Sequence, residues 1–473
     1  MKNKFARVAA VLIIASVLLL VACNGDGRPG DADTMHEGVQ ERAEVIAEDY
    51  SHLFPDVEVT QKIRWLSWYA LDENAPTAEI FRAVYGVPDE DGGDNIIHFM
   101  NVAYEDRLER LSALIASGDS PDMFQFEERH FPFGAYMRQF DPVDDLFDFD
   151  APEWEATRDV MRLFEWGGHN YAPIHMLVPS TALLFYRNSV VQQAGLPDPY
   201  ELWNRGEWDW NAFLDMCQQF TDPANNMYSI MGWFIDEAAI LSTGIGILTI
   251  EDGLLQNNLD DRRLDRAMDF LHGLAINDHR FPYHEVNNFE LNPAEFRNGN
   301  ILFWNDGPWV YQQTLTRFRE RDGWADDEVR IVPFPRDPHA AQFYHRGKHD
   351  SFMLVAGSRN HEGYKAWVTS ALIAAQDGPM ETQARDRMKE VYHWTEHQLE
   401  VLDRIQEESV LVWDFKNGIG ADIACAVSDS PVENLTKPVI VEGESFTQVR
   451  EENRGVIEPR IARINRSVTG GNR

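Results

Sequence analysis

At 473 residues, with 44% hydrophobic and 25% charged side chains, the chain has length for roughly two to four domains, or for two lobes of a discontinuous chain, around a large core. A formal charge of −36 repels phosphate backbones and anionic lipid and so argues against nucleic-acid binding. The 14 Trp, 14 Tyr and 27 Phe can fill a core, but this many indoles also suits a surface that stacks on flat ligand faces. Only eight of the 42 basic residues are Lys, which fits either a biased genome composition or a saline or alkaline exterior.

The amino terminus opens with the basic head MKNKFAR and the apolar run VAAVLIIASVLLL, too short for a comfortable membrane span. The run ends at LVAC, Leu20 to Cys23, which resembles the lipobox of bacterial lipoproteins. That resemblance implies a signal peptide over 1–22 and Cys23 as the lipid-bearing first residue of the mature chain. A plain signal peptide cleaved nearby, with Cys23 incidental, is the alternative. Loss of Lys2, Lys4 and Arg7 with this segment takes the charge to −39. NGDGRPGDADT reads as a flexible tether, so residues 23–50 are expected to be tether and short helix. No later run approaches a transmembrane span, so the expectation is a chain anchored to a membrane and not threaded through it. Cys217 and Cys425 lie in apolar contexts and are expected as buried free thiols, with a single bridge between them left open.

From residue 60 strands and helices alternate. KIRWLSWY (62–69), NIIHFMNV (95–102) and PDMFQF (121–126) read as strands. Between them, APTAEIFRAVYG reads as a helix, and YEDRLERLSALIASG as another with Tyr104, Leu108, Leu111 and Ile115 on one face and Gly118 closing it. This βαβ spacing predicts a mostly parallel sheet covered by helices. Further on, STALLFYRNS, MYSIMGWF, NILFW, VRIVPFP and SFMLVAG read as strands. WDWNAFLDMCQQF, DRRLDRAMDFLHGLA and EGYKAWVTSALIAA read as helices, and the last hundred residues as mainly helical. Ser445 to Gln448 has the form of a capping box opening the terminal helix.

Several of these stretches, in order, resemble the bacterial extracellular solute-binding proteins of family 1, the sugar-binding lipoproteins of ABC importers. They are LERLSALIASGDSPDMF, LLFYRNSVVQQAGLPDPYELW, EWDWNAFLDMCQQFTD, FRNGNILFWNDGPW, and VRIVPFP with MLVAGSRNHEGYKAWVTSAL. The likeness runs from about residue 60 to the terminal helix, with YRNS standing where the family more often has Tyr-Asn-Lys-Asp. It implies an α/β protein of the two-lobe periplasmic-binding-protein-like fold, with discontinuous lobes and a ligand cleft between them. Lobe one is expected over 57–179 plus 355–400 and lobe two over 180–354 plus 401–473. It also implies a sugar or oligosaccharide ligand, ABC permease subunits with a cytoplasmic ATPase as partners, a monomer, no cofactor and no catalysis. The expected location is the cell membrane, lipid-anchored and facing the exterior or periplasm.

A sugar site needs flat rings for apolar C–H faces and carboxylates or amides to accept from hydroxyls. In FWNDGPW the turn Gly307-Pro308 is expected to stand Trp309 in the cleft as a stacking platform, with Asp306 as a hydroxyl acceptor. Loops at the carboxyl ends of strands add Trp68 and Tyr69, then Phe126, Glu127 and Glu128, then Trp233 and Asp236, with Ser180 at the first crossing and Trp413 in a late loop. The competing reading for each is packing, or solvation for the acids. Gly-x-Ser-x-Gly, His-Glu-x-x-His and P-loop patterns are absent, and acidic pairs alone do not make a glycoside hydrolase. His345 and His349 in HRGKH have a spacing that a metal could use, but a solvated loop is expected there. A binding lipoprotein serving a sensor would share every cleft residue.

Overall fold

A computed structural model describes residues 29–88, 93–104, 106–127, 130–178, 182–282, 292–416, 418–420 and 433–469. Cys23, Glu128, Ser180 and Cys425 lie outside the described residues. In chain order, the strands that carry the architecture are β1 (Ile63–Ser67), β2 (Ile97–Asn101), β3 (Met123–Gln125), β4 (Met176–Val178), β5 (Leu183–Arg187), β6 (Tyr228–Gly232), β7 (Ile301–Asp306), β8 (Val329–Pro333), β9 (Phe343–Arg346), β10 (Lys348–Asp350), β11 (Phe352–Leu354) and β12 (Ser409–Val412). The main helices are α1 (Pro29–Asp49), α2 (Pro76–Tyr85), α3 (Arg107–Ser117), α4 (Trp210–Phe220), α5 (Ile235–Leu241), α6 (Arg262–Ile276), α7 (His361–Gln376), α8 (Gly378–Tyr392), α9 (Glu396–Glu408), α10 (Glu433–Glu442) and α11 (Phe446–Thr469).

Two four-stranded sheets organise two lobes. The first has the order β11-β3-β1-β2, in which β1 pairs parallel with β2 and β3 while β11 returns antiparallel. Its parallel part follows from the helices α2 and α3 that carry the chain back between strands. The second sheet has the order β8-β5-β7-β6 and is mixed: β6 and β7 are parallel, and β5 runs against both β7 and β8. The expectation of a mostly parallel sheet thus describes the first sheet, whereas in the second only the β6–β7 ladder, one of three, is parallel.

Between the sheets lies a short antiparallel ribbon of β4 and β10, with Lys348 opposite Val178 and Asp350 opposite Met176. The chain leaves the first lobe along β4 and returns along β10 into β11. A second link pairs β9 with β12 in parallel. One contiguous buried cluster includes side chains of both sheets together with Trp413 and Phe415, which follow β12.

The punctuation of the sequence is largely where physics puts it. Gly118 closes α3 in the left-handed conformation, φ 74°. Helix α3 begins at Arg107, however, so Tyr104 sits in the turn before it and not on its face. Helix α11 does begin after Ser445, but the Gln448 side chain donates to Glu452. A complete capping box is found instead at Thr395 and Gln398, opening α9. HRGKH is not a solvated loop. It forms β9 and β10, and burial pushes His345 down to about 4 and His349 to about 3. Cys217 is a buried free thiol in α4.

Candidate functional site

In the first lobe β1, β2 and β3 run parallel, so their carboxyl ends emerge on one edge, where open α/β sheets place their ligands. Trp68 and Tyr69 follow β1, Tyr104 follows β2, and Phe126 and Glu127 follow β3. Trp68 stands edge-on to Tyr69 (5.2 Å, 72°) and to Tyr104 (4.9 Å, 87°), all three half-buried. Beneath them the fully buried Arg107 places its guanidinium 3.6 Å from the Tyr104 ring centre and 5.4 Å from that of Trp68. Its Nε donates to Glu127 Oε1 at 2.6 Å, its Nη2 to Glu127 Oε2, and its Nη1 to the Tyr104 carbonyl. Both oxygens of Glu127, expected to meet ligand hydroxyls, are therefore engaged by Arg107. Phe126 is buried against His349 (4.3 Å), Phe164 (5.2 Å) and Phe131 (5.6 Å), as packing requires. Tyr104 and Arg107 escaped the sequence reading because helical periodicity absorbed them. The signal that could have found them is Tyr104's place just after a parallel strand.

In the second lobe the parallel pair β6 and β7 ends in the same way. After β6 the chain turns at Gly232, φ 144°, where a Cβ would lie 1.9 Å from the Asn305 carbonyl oxygen, so only glycine fits. Trp233 follows and is 41% exposed. After β7 the turn works otherwise than expected. Asp306 is fully buried and accepts from Gly307 N (2.8 Å), from Trp304 Nε1 (3.2 Å) and from the Trp309 side chain. Burial pushes its carboxyl up to about 7 despite these donors. Trp309 folds back over Gly307, whose missing Cβ would sit 2.2 Å from the indole. Its half-buried ring meets Phe234 edge-on (5.9 Å) and the Lys348 ammonium at 5.6 Å. Asp306 thus lies buried and anchors the indole.

The crossing segments close the arrangement. Arg346 pairs with Glu237 at 2.9 Å and lies 5.1 Å from the Phe234 ring. Burial works against the Asp236 carboxylate, but Lys416 (3.5 Å), Thr436 and the Glu237 backbone outweigh it and hold its pKa low. Trp413 is buried, edge-on to Phe164 (5.8 Å), and covers Gly347 so closely that a Cβ there would lie 2.2 Å from its ring. Phe126 touches His349, and Trp309 lies against the adjacent Lys348. The two strand-end edges therefore flank one ribbon. A separate surface depression of about 560 Å³, lined by Asp144, Asp148, Asp150, Arg158 and others, shares no residue with either edge. Among the described residues, no group of three or more His, Cys, Asp or Glu is arranged to hold a metal.

Residues 90–371 match the family model described as bacterial extracellular solute-binding protein. The chain belongs to that family. Solved structures share the architecture of this solute-binding protein. The GacH receptor of Streptomyces glaucescens aligns at 12% identity over 86% of this chain and 99% of its own, with a TM-score of 0.56. An ABC substrate-binding protein of Listeria monocytogenes, solved with cycloalternan, aligns at 14% over 87% and 99%, TM-score 0.56. The maltotriose-binding protein of Thermus thermophilus, bound with maltotriose, aligns at 14% over 86% and 100%, TM-score 0.53. At these identities the likeness is one of fold: two α/β lobes with a cleft between them. No curated protein sequence matches the chain. Among the described residues of this solute-binding protein, no helix is long and apolar enough to cross a membrane.

Proposed function

We propose that this chain is the lipid-anchored, extracellular substrate-binding component of an ABC importer. It captures a sugar or oligosaccharide between its lobes and delivers it to the permease, without covalent chemistry. The observation that carries this reading is the gathering of Trp68, Tyr69 and Tyr104 on one strand-end edge and Trp233 and Trp309 on the other, flanking one ribbon. Half-exposed rings at the carboxyl ends of parallel strands suit the C–H faces of sugar rings. Solved relatives of the same fold carry maltotriose and cycloalternan, which supports the ligand class. Closure about the β4–β10 ribbon hides the ligand and presents a shape the permease distinguishes from the open one.

The lobes are read as 57–179 plus 355–400 and 180–354 plus 401–473. The change of sheet between Val178 and Leu183 supports the first boundary, whereas β11 (Phe352–Leu354) pairs with β3 of the first sheet and favours a return ahead of Phe352. Cys23 carries the lipid and the mature protein acts as a monomer. The test is a thermal-shift panel of maltose, maltotriose, maltotetraose, cycloalternan and mannitol. A ligand that binds only the folded state at about a hundred times its Kd adds about 2.7 kcal/mol to stability and raises the melting temperature. Silence across the panel overturns the sugar reading, and release of smaller sugars during incubation overturns the non-enzymatic one.

A further inference from the structure

Arg107 is an expensive residue for its position. It opens α3, where the helix dipole disfavours a cation, and its side chain is 0% exposed. A buried ion pair rarely stabilises more than apolar side chains of the same volume would, so Arg107 and Glu127 are poorly explained as simple glue. What the pair produces is geometry. The planar guanidinium lies on Tyr104, reaches Trp68, and holds the Tyr104 carbonyl, while Glu127 fixes the guanidinium from behind. The two rings also meet each other at 87°. Strand ends of β1, β2 and β3 are thereby locked into one aromatic unit by a single side chain.

We propose that Arg107 is a positioning residue for ligand capture: braced by Glu127, it sets Trp68 and Tyr104 as one rigid platform on the lobe-one edge. This rests on the reading of that edge as the ligand site. The fork matters as much as the charge. Lysine has one ammonium, which cannot stack on Tyr104 and hold both Glu127 oxygens together.

The test uses the full chain labelled with 5-fluorotryptophan, the Trp68 resonance being assigned with Trp68→Phe. Arg107→Lys is expected to move or broaden the Trp68 resonance and to weaken the tightest-binding sugar of the panel about tenfold. The double variant Arg107→Met with Glu127→Gln avoids stranding a buried carboxylate and should melt near the wild type, yet keep both defects. A merely structural pair would move the melting temperature and leave the sugar affinity of the folded variants where it was. An unchanged Trp68 resonance in both variants, or unchanged sugar affinity in both, overturns the proposal. If the wild type binds no sugar, the ligand reading falls, and the ligand-free resonance alone decides the platform.

Discussion

Asp306 and Trp309 show how one residue governs another at the second edge. Burial raises the Asp306 carboxyl to about 7, so the folded chain holds a proton there that the unfolded chain releases near its ordinary 3.8. Its contribution to stability is complete below about pH 4 and is lost as pH rises through about 7. Asp306→Asn fixes an uncharged side chain, so stability should fall more steeply than in the wild type when pH is lowered from about 7 to 4. Urea melts across that range check this. Trp309→Ala removes a half-buried ring and should cost about 2 kcal/mol, less than the 3–5 kcal/mol of a fully buried indole. Sugar affinity should fall by more than tenfold, measured by calorimetry on the folded variant. The signal for this turn was legible in FWNDGPW, but not the direction of its parts. A turn residue's side chain is aimed by the room that Gly307 leaves for the indole and by the burial of Asp306, and neither the packing nor the burial is a property of local sequence.

At the scale of elements the ribbon of β4 and β10 carries the second pH response. Burial pushes His349 down to about 3, with His175 and Lys348 adding to the effect and Asp350 opposing it. The unfolded chain takes up this proton below about 6.5 and the folded chain does not. The stability is therefore present above 6.5 and lost as pH falls toward 3, opposite in sign to Asp306 over about pH 4 to 6.5. His349→Gln keeps a polar, uncharged side chain and should flatten the acid limb of the stability curve, where Asp306→Asn steepens it. A parallel pair of pH-dependent melts distinguishes the two. Strong periodicity made most strands legible: KIRWLSWY contains β1, MYSIMGWF contains β6, and VRIVPFP contains β8. The ribbon was hidden because HRGKH has charges and no alternation, and its strands exist only because Met176–Val178 supplies the other half of the ladder.

For the whole molecule the governing quantity is charge. At −36 the surface repels itself, a cost of folding that mobile ions screen. The melting temperature should therefore rise between ~0.05 M and ~1 M sodium chloride, as the screening length falls from over 10 Å to about 3 Å. A flat or falling curve would show that local ion pairs, such as Arg454 with Asp260 (2.7 Å) and Arg187 with Glu328 (2.6 Å), dominate instead. The same acidity surrounds a few buried cations. Arg107, Arg346 and Lys416 each lie against a carboxylate beside the two edges, which keeps their charge tolerable away from water.

By itself the sequence determined the class of molecule: an α/β chain of alternating strands and helices, strongly acidic, with indoles at strand ends and the ordered motifs of a solute-binding family. These are properties of local periodicity and composition, which need no partner across the fold. Only the tertiary structure decided which aromatics are held half-open and which are packed away, and which carboxylates are already spent. Trp68 and Trp309 remain partly open while Phe126 and Trp413 are buried, and Glu127 and Asp306 face protein donors. A side chain's availability to a ligand depends on what distant segments place against it. Here those segments are α3, the β4–β10 ribbon and the strand-end turns that converge on it.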